Sequence, residues 1–217
     1  MVKKNENLSV VVALDRSGSM SGEKWTNAVD SLNEYVKGLQ KEEVSGDITI
    51  LAFDSDGMYG GNSSIRLSPL SESADIAYFK RIDPTVLYPA GGTPLYDAAG
   101  HVMNLALEKN SKRSVVVILT DGEENTSKEY TQEKIKEKVK VLEEKKWEVI
   151  FLGANFDVTK YTHAAGLAGT KMRNFDLNNQ VQRTAMYADL TKSTAAYATT
   201  GAAMNLSETV DTKKETI

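Results

Sequence analysis

Five consecutive residues, Asp15-Arg16-Ser17-Gly18-Ser19, place one carboxylate and two hydroxyls at alternate positions, with a glycine that lets the loop curl. All their ligand atoms are hard oxygens, a donor set that suits Mg²⁺, Mn²⁺ or Ca²⁺ rather than a soft metal. A second aspartate lies in Leu119-Thr120-Asp121-Gly122, and a further hydroxyl, Thr93, lies in Gly91-Gly92-Thr93-Pro94. Two carboxylates and three hydroxyls would form a small oxygen site with room for water, which favours octahedral Mg²⁺ or Mn²⁺ over the larger Ca²⁺ shell. Each residue also has an ordinary use. Asp15 can begin a turn, Ser19 or Ser21 can cap a helix, Thr93 can be an N-cap, and Asp121-Gly122 is a common turn pair. Three oxygen-bearing loops on one edge are what point to a cation.

That edge depends on the elements carrying the loops. Asp15 follows Leu8–Leu14, a valine-rich apolar run bounded by polar residues, which reads as a strand buried on both faces. Arg113–Thr120 reads the same way and ends in Asp121. If these two strands are neighbours, both carboxylates meet at the carboxyl edge of the sheet, where open α/β sheets bind ligands. Trp25, Ala28, Val29, Leu32, Val36 and Leu39 recur at helical spacing after the first loop, with Ser21 as the expected N-cap. A second strand is expected at 46–53. A strand, a helix and a strand in this order imply a right-handed crossover and a parallel pair.

Residues 54–62 read as a turn-rich loop and 64–70 as a short antiparallel edge strand. Asp54-Ser55-Asp56-Gly57 superficially suggests calcium, but it lacks the later ligands and closing Glu of an EF-hand loop, so a solvated hairpin loop is expected. A short helix is expected at 74–82. Pro94 should open another, since a proline at the first helical position loses no hydrogen bond. Ile135, Val139 and Leu142 mark the inner face of a charged helix. Further elements are expected at 147–153 (strand), 158–167 (helix), 171–175 (strand) and 181–199 (helix). The expected fold is α/β: a doubly wound, mostly parallel central sheet with one antiparallel edge strand and helices on both faces. One domain spans 1–201, and 202–217 forms a polar C-terminal tail whose removal should leave the melting temperature nearly unchanged.

Composition narrows the function classes. The 217 residues are 41% hydrophobic and 26% charged, enough for one packed domain. The net charge of -4 argues against non-specific nucleic-acid binding, which needs a basic surface. With no cysteine, disulfides, thiol catalysis and thiolate metal sites are excluded. No segment is long enough to span a membrane, and the N-terminus does not read as a signal peptide, so the cytoplasm is the expected compartment.

The loops resemble those of a known family. Asp15-Arg16-Ser17-Gly18-Ser19 resembles the D-x-S-x-S motif of von Willebrand factor A domains. The run from Gly91 to Asp97 resembles the family's threonine loop, and Leu119 to Gly122 its second aspartate. The motifs occur in family order, and the resemblance runs from about Leu8 to Phe175. Residues 149–155 are also similar to small stand-alone bacterial or phage members. The resemblance implies a metal-ion-dependent adhesion site carried by Asp15, Ser17, Ser19, Thr93 and Asp121, with some aspartate contacts running through water. It also implies a divalent ion, Mg²⁺ first and Mn²⁺ or Ca²⁺ as alternatives, whose remaining position takes an Asp or Glu carboxylate from a partner protein.

Two other readings compete. An Asp after a strand beside a metal can accept a phosphoryl group. Phosphatases of the haloacid-dehalogenase type use D-x-D there, whereas Ser17 stands in place of the second carboxylate here, so the acid/base is missing. A non-enzymatic module is therefore expected. Stand-alone family members also serve larger machines, including ATPase complexes, as regulatory subunits. Selectivity for a partner should come from the rim of loops around the metal, with Met58 and Tyr59 as adaptable and aromatic contacts and with Glu123 and Glu124 making it acidic.

Overall fold

The computed structural model describes residues 8–56, 64–155, 157 and 171–206. Its sheet consists of β1 (Leu8–Asp15), β2 (Asp47–Ser55), β3 (Ile65–Asp75), β4 (Arg113–Thr120), β5 (Glu148–Ala154) and β6 (Met172–Phe175). The strand order is β3-β2-β1-β4-β5-β6. All neighbours are parallel except β2 and β3. Four α-helices accompany it among the described residues: α1 (Glu23–Lys41), α2 (Leu95–Lys109), α3 (Gln132–Glu144) and α4 (Gln180–Thr200).

The valine-rich strands are central because both their faces are covered. Val10, Val12 and Leu14 of β1 pack with α1 and α4, whereas Val11 and Ala13 pack with α2 and α3. Alternate residues of β4 and β5 divide the same way, Val117 and Ile150 to the first layer, Val116 and Val149 to the second. A strand buried on both faces gains from apolar residues at every position, which explains the unbroken runs in the sequence.

The chain winds outward from β1 to β2 and β3, then returns to place β4 on the other side of β1. Parallel pairing of Leu14 with Leu119 and of Asp15 with Phe53 brings three strand ends level. Helices that connect strands in opposite directions leave on opposite faces, so a crevice opens where the strand order reverses. That reversal falls between β1 and β4, the two strands that lead into Asp15 and Asp121.

Several local expectations are corrected. The helix expected at 74–82 is absent: β3 continues to Asp75, and a single 3-10 turn, Ile76–Tyr78, follows. Ile76 and Ile82 are buried and Phe79 packs against the core, a spacing that imitates a helix. Side chains of α1 satisfy the backbone instead. Asn33 bonds both the carbonyl and the N–H of Ile82, and Gln40 Nε2 donates to the Ile76 carbonyl at 2.8 Å. β3 is also longer than the strand expected at 64–70. It carries Pro69, which an edge strand tolerates. Ser21 does not cap α1. Gly22 holds that position, and the Ser21 hydroxyl donates to the Gly18 carbonyl of a preceding 3-10 turn. Pro94 is the N-cap residue of α2 rather than its first helical residue.

The C-terminal stretch is not wholly a tail. Met204 and Leu206 are buried in the core layer under α1 and α4, so the packed domain continues past Gly201. The helix expected at 158–167 and the rest of the tail lie outside the described residues.

Candidate metal centre

Asp15, the last residue of β1, is fully buried. Its Oδ1 accepts the Ser17 N–H at 2.7 Å, and its Oδ2 accepts the Thr120 hydroxyl at 2.6 Å. Burial pushes its carboxyl up to about 6, against the pull of the hydrogen bonds from Thr120 and Ser17, and the nearby Asp121 charge pushes the same way. The Ser17 and Ser19 hydroxyl oxygens lie 3.0 Å apart, and Ser19 donates to Asp121 Oδ1 at 2.6 Å. The other Asp121 oxygen, Oδ2, receives Lys24 Nζ at 2.6 Å. Thr93 Oγ1 and Ser19 Oγ stand 3.5 and 3.7 Å from the point where a side chain on Gly122 would begin, so both face the Asp121-Gly122 turn. The structure therefore brings all five sequence-selected ligand residues to one place.

Backbone contacts hold the three loops together. The Gly18 N–H bonds the Gly91 carbonyl at 3.1 Å, and the Ala90 N–H bonds the Arg16 carbonyl at 2.8 Å. Gly91 has φ +68°, and a Cβ there would sit 1.9 Å from the Ser55 carbonyl oxygen, so only glycine fits. Thr93 is fixed by Asn125, whose Oδ1 accepts the Thr93 N–H at 2.8 Å and whose N–H bonds the Thr93 carbonyl at 3.2 Å. Between these loops lies a cleft of about 620 Å³, lined by Ser17, Ser19, Gly92, Thr93, Asn125 and Thr126 among others.

The donor set fits a hard divalent ion. Ligand oxygens in an octahedral shell with bonds of about 2.0–2.1 Å stand roughly 3 Å apart, and the two serine hydroxyls are already 3.0 Å apart. No group of three or more His, Asp or Glu side chains that could hold a metal occurs among the described residues, so a metal held here would draw on hydroxyls as well as on two carboxylates.

The rim differs from the sequence expectation. Glu123 is exposed, but Glu124 turns inward. Its Oε2 accepts the Tyr96 N–H at 3.0 Å and the Ser127 hydroxyl at 2.6 Å, and its Oε1 accepts the Ser127 N–H at 2.7 Å. It serves the first turn of α2, so the rim loses one of its two expected acidic groups, and Thr93 is not needed as that helix's cap. Met58 and Tyr59 lie outside the described residues. Asp54 does not belong to a solvated loop. It is fully buried and clamped by Arg16 at 2.8 Å and by both Nε and an NH₂ group of Arg66 at 2.8 Å.

Sequence reasoning missed four supporting residues: Thr120, Lys24, Asn125 and Asp97. Asp97 is 2% exposed and accepts the N–H groups of Lys128, Glu129 and Tyr130 at 2.8–2.9 Å, which shapes the loop after β4. An acidic residue in the first turn of a helix was the available signal for Asp97. Thr120 carried one too, as a hydroxyl that closes the apolar run 115–119 directly before Asp121.

A model of the von Willebrand factor type A domain matches residues 9–189. No curated protein sequence matches the chain. Among solved structures, proximal thread matrix protein 1 from the mussel byssus is 14% identical with a TM-score of 0.58, covering 86% of this chain and 46% of that one. The vWF domain of the pili tip protein Mfa5 from Porphyromonas gingivalis is 8% identical with a TM-score of 0.60, covering 86% and 94%. Manganese-loaded TRAP protein from Plasmodium vivax is 16% identical with a TM-score of 0.50, covering 85% and 74%. The chain thus spans less than half the length of the byssus protein. At such identities the likeness is one of fold, and no helix among the described residues is long and apolar enough to cross a membrane. With the family model spanning most of its length and the three loops in place on its sheet edge, the chain belongs to the von Willebrand factor type A domain family.

Proposed function

We propose that this domain is a metal-dependent protein-binding module. Asp15, Ser17, Ser19, Thr93 and Asp121 hold a divalent ion, Mg²⁺ in preference to Mn²⁺ or Ca²⁺. The ion supplies an electrophilic position that accepts an Asp or Glu carboxylate from a partner protein. The observation that carries this reading is the convergence of oxygen donors from three separate loops on one cleft, around a carboxylate that is fully buried. Burying a charge is costly unless a cation or hydrogen bonds compensate, and a divalent ion compensates it best. Manganese in the TRAP structure supports the choice of ion class.

The chain's own residues divide the work. Asp15 and Asp121 supply charge, the hydroxyls supply neutral donors, Gly91 keeps the threonine loop against the first loop, and Asn125 ties it to the loop after β4. No acid/base group is needed, and the reading is non-enzymatic. Isothermal titration of chelator-treated protein should show one divalent site that Asp15→Ala and Asp121→Ala abolish while far-UV circular dichroism stays native. Undiminished binding in both variants would refute the assignment. A pull-down with and without chelator then separates a metal-dependent partner from constitutive membership of a larger assembly.

A further inference from the structure

Lys24 is the charged group that the metal-site residues do not explain. It projects from the first turn of α1, and its Nζ sits 2.6 Å from Asp121 Oδ2, while its side chain is 29% exposed. The Asp121 carboxylate has no exposure at all, so this ion pair is shielded on one side and hydrated on the other. Among the described residues, the nearby cation Arg16 is engaged elsewhere. Arg16 is bonded to Asp54, which also takes Arg66. Among the described residues, Lys24 is therefore the cation bonded directly to the proposed ligand set.

We infer that Lys24 is the residue that makes this site select an anionic partner group, by setting the net charge of the metal-loaded centre. The inference rests on the metal-site reading above and deepens it. Without Lys24, two aspartates and one divalent ion are neutral together, and an incoming carboxylate meets no net charge. With Lys24, the same centre carries one net positive charge, which a single carboxylate neutralises. The cost falls on the metal. The ammonium competes for Asp121 Oδ2 and repels the ion, so the metal alone is held less tightly than its donors allow. Coulomb interactions at such separations in a partly buried site are large enough to alter affinities by an order of magnitude. Metal and carboxylate thus bind best together, and the partner's group completes what the lysine withholds.

The test uses the full chain, wild type beside Lys24→Met and Lys24→Arg. Mg²⁺ and Mn²⁺ affinities are measured by calorimetry, and acetate is titrated into the metal-loaded proteins by NMR. Lys24→Met should bind the metal about tenfold more tightly and acetate several-fold more weakly, whereas Lys24→Arg should follow the wild type in both. Opposite signs are the signature, because a merely structural lysine would weaken both on removal. Unchanged or weaker metal binding in Lys24→Met, or unchanged acetate binding, would overturn the inference while leaving the metal-site reading intact. Failure of the wild type to bind any divalent ion would instead remove the metal-site reading itself.

Discussion

The Thr120 hydroxyl donates to Asp15 Oδ2 at 2.6 Å, a bond that joins the ends of the two central strands inside the core. It is one of the contacts that make a buried carboxylate tolerable at the strand terminus, the Ser17 N–H being another. Because Asp15 Oδ2 is oriented by Thr120, the position of the carboxylate depends on a residue that does not itself belong to the proposed ligand set.

Thr120→Val should keep the shape and remove the bond. Leaving a buried carboxylate oxygen without its donor costs about 1–3 kcal/mol of stability. Loss of an outer residue that orients a metal ligand typically lowers metal affinity by 10–100-fold. Denaturant melts and metal titration of the variant check the two effects. A Thr120→Val protein with wild-type metal affinity would show that Asp15 is oriented without it.

The raised Asp15 carboxyl predicts an unusual pH response. Its value in the fold is about 6 against 3.8 for a free aspartate, with burial as the main cause. The folded state therefore holds this proton more tightly than the unfolded chain. At pH values below both figures the group contributes nothing to the difference. As pH rises from about 4 to about 6 the unfolded chain ionises first, and the metal-free fold loses on the order of 3 kcal/mol from this group. Bound metal reverses the trend, because a cation favours the carboxylate. Metal affinity should be flat above about pH 6 and weaken on acidification below it. Melts across pH 4 to 7.5, with chelator and with Mg²⁺, should show opposite slopes. Parallel slopes would mean that the ion does not contact Asp15.

The end of the domain gives a third expectation, opposite to the one its polar composition suggests. Met204 and Leu206 are 4% and 1% exposed and belong to the layer formed with α1 and α4. Leu206→Ala should cost roughly 2–4 kcal/mol, as for other buried leucines, and a chain ending at Gly201 should lose more. Thermal melts decide it, and a truncated chain with an unchanged midpoint would show that these residues contribute nothing to the core.

What the sequence reveals, and what it hides, follows from where the determining interactions lie. The central strands and the meeting of the five proposed ligand residues on one edge are legible because each signal is local: a valine run buried on both faces, then an aspartate and hydroxyls at fixed spacing. The turn at 76–82 is illegible because its backbone is satisfied by Asn33 and Gln40, some forty residues away in sequence. Asp54 looks like a loop residue until Arg16 and Arg66 are seen to meet on it. Met204 and Leu206 are two apolar residues in a polar stretch, too few to form a period. Glu124 reads as surface charge because nothing in its own neighbourhood shows that the start of α2 lies above it.

Glu123 and Glu124 are adjacent in sequence and should behave as unrelated residues. Glu124 supplies acceptors for two backbone N–H groups, of Tyr96 and Ser127, and for the Ser127 hydroxyl. It acts as a cap borrowed from another loop, at a helix end where a negative charge is also favoured by the helix dipole. Glu124→Ala should therefore cost about 1–2 kcal/mol of stability. Glu124→Gln should recover part of that, since one oxygen still accepts. Glu123 is exposed at the rim, so Glu123→Ala should leave the stability within about 0.5 kcal/mol of wild type. Its effect should appear in partner binding, as an altered association rate that fades with added salt, because a rim charge acts by steering. A stability loss confined to Glu123→Ala, with Glu124→Ala neutral, would reverse the assignment of cap and rim.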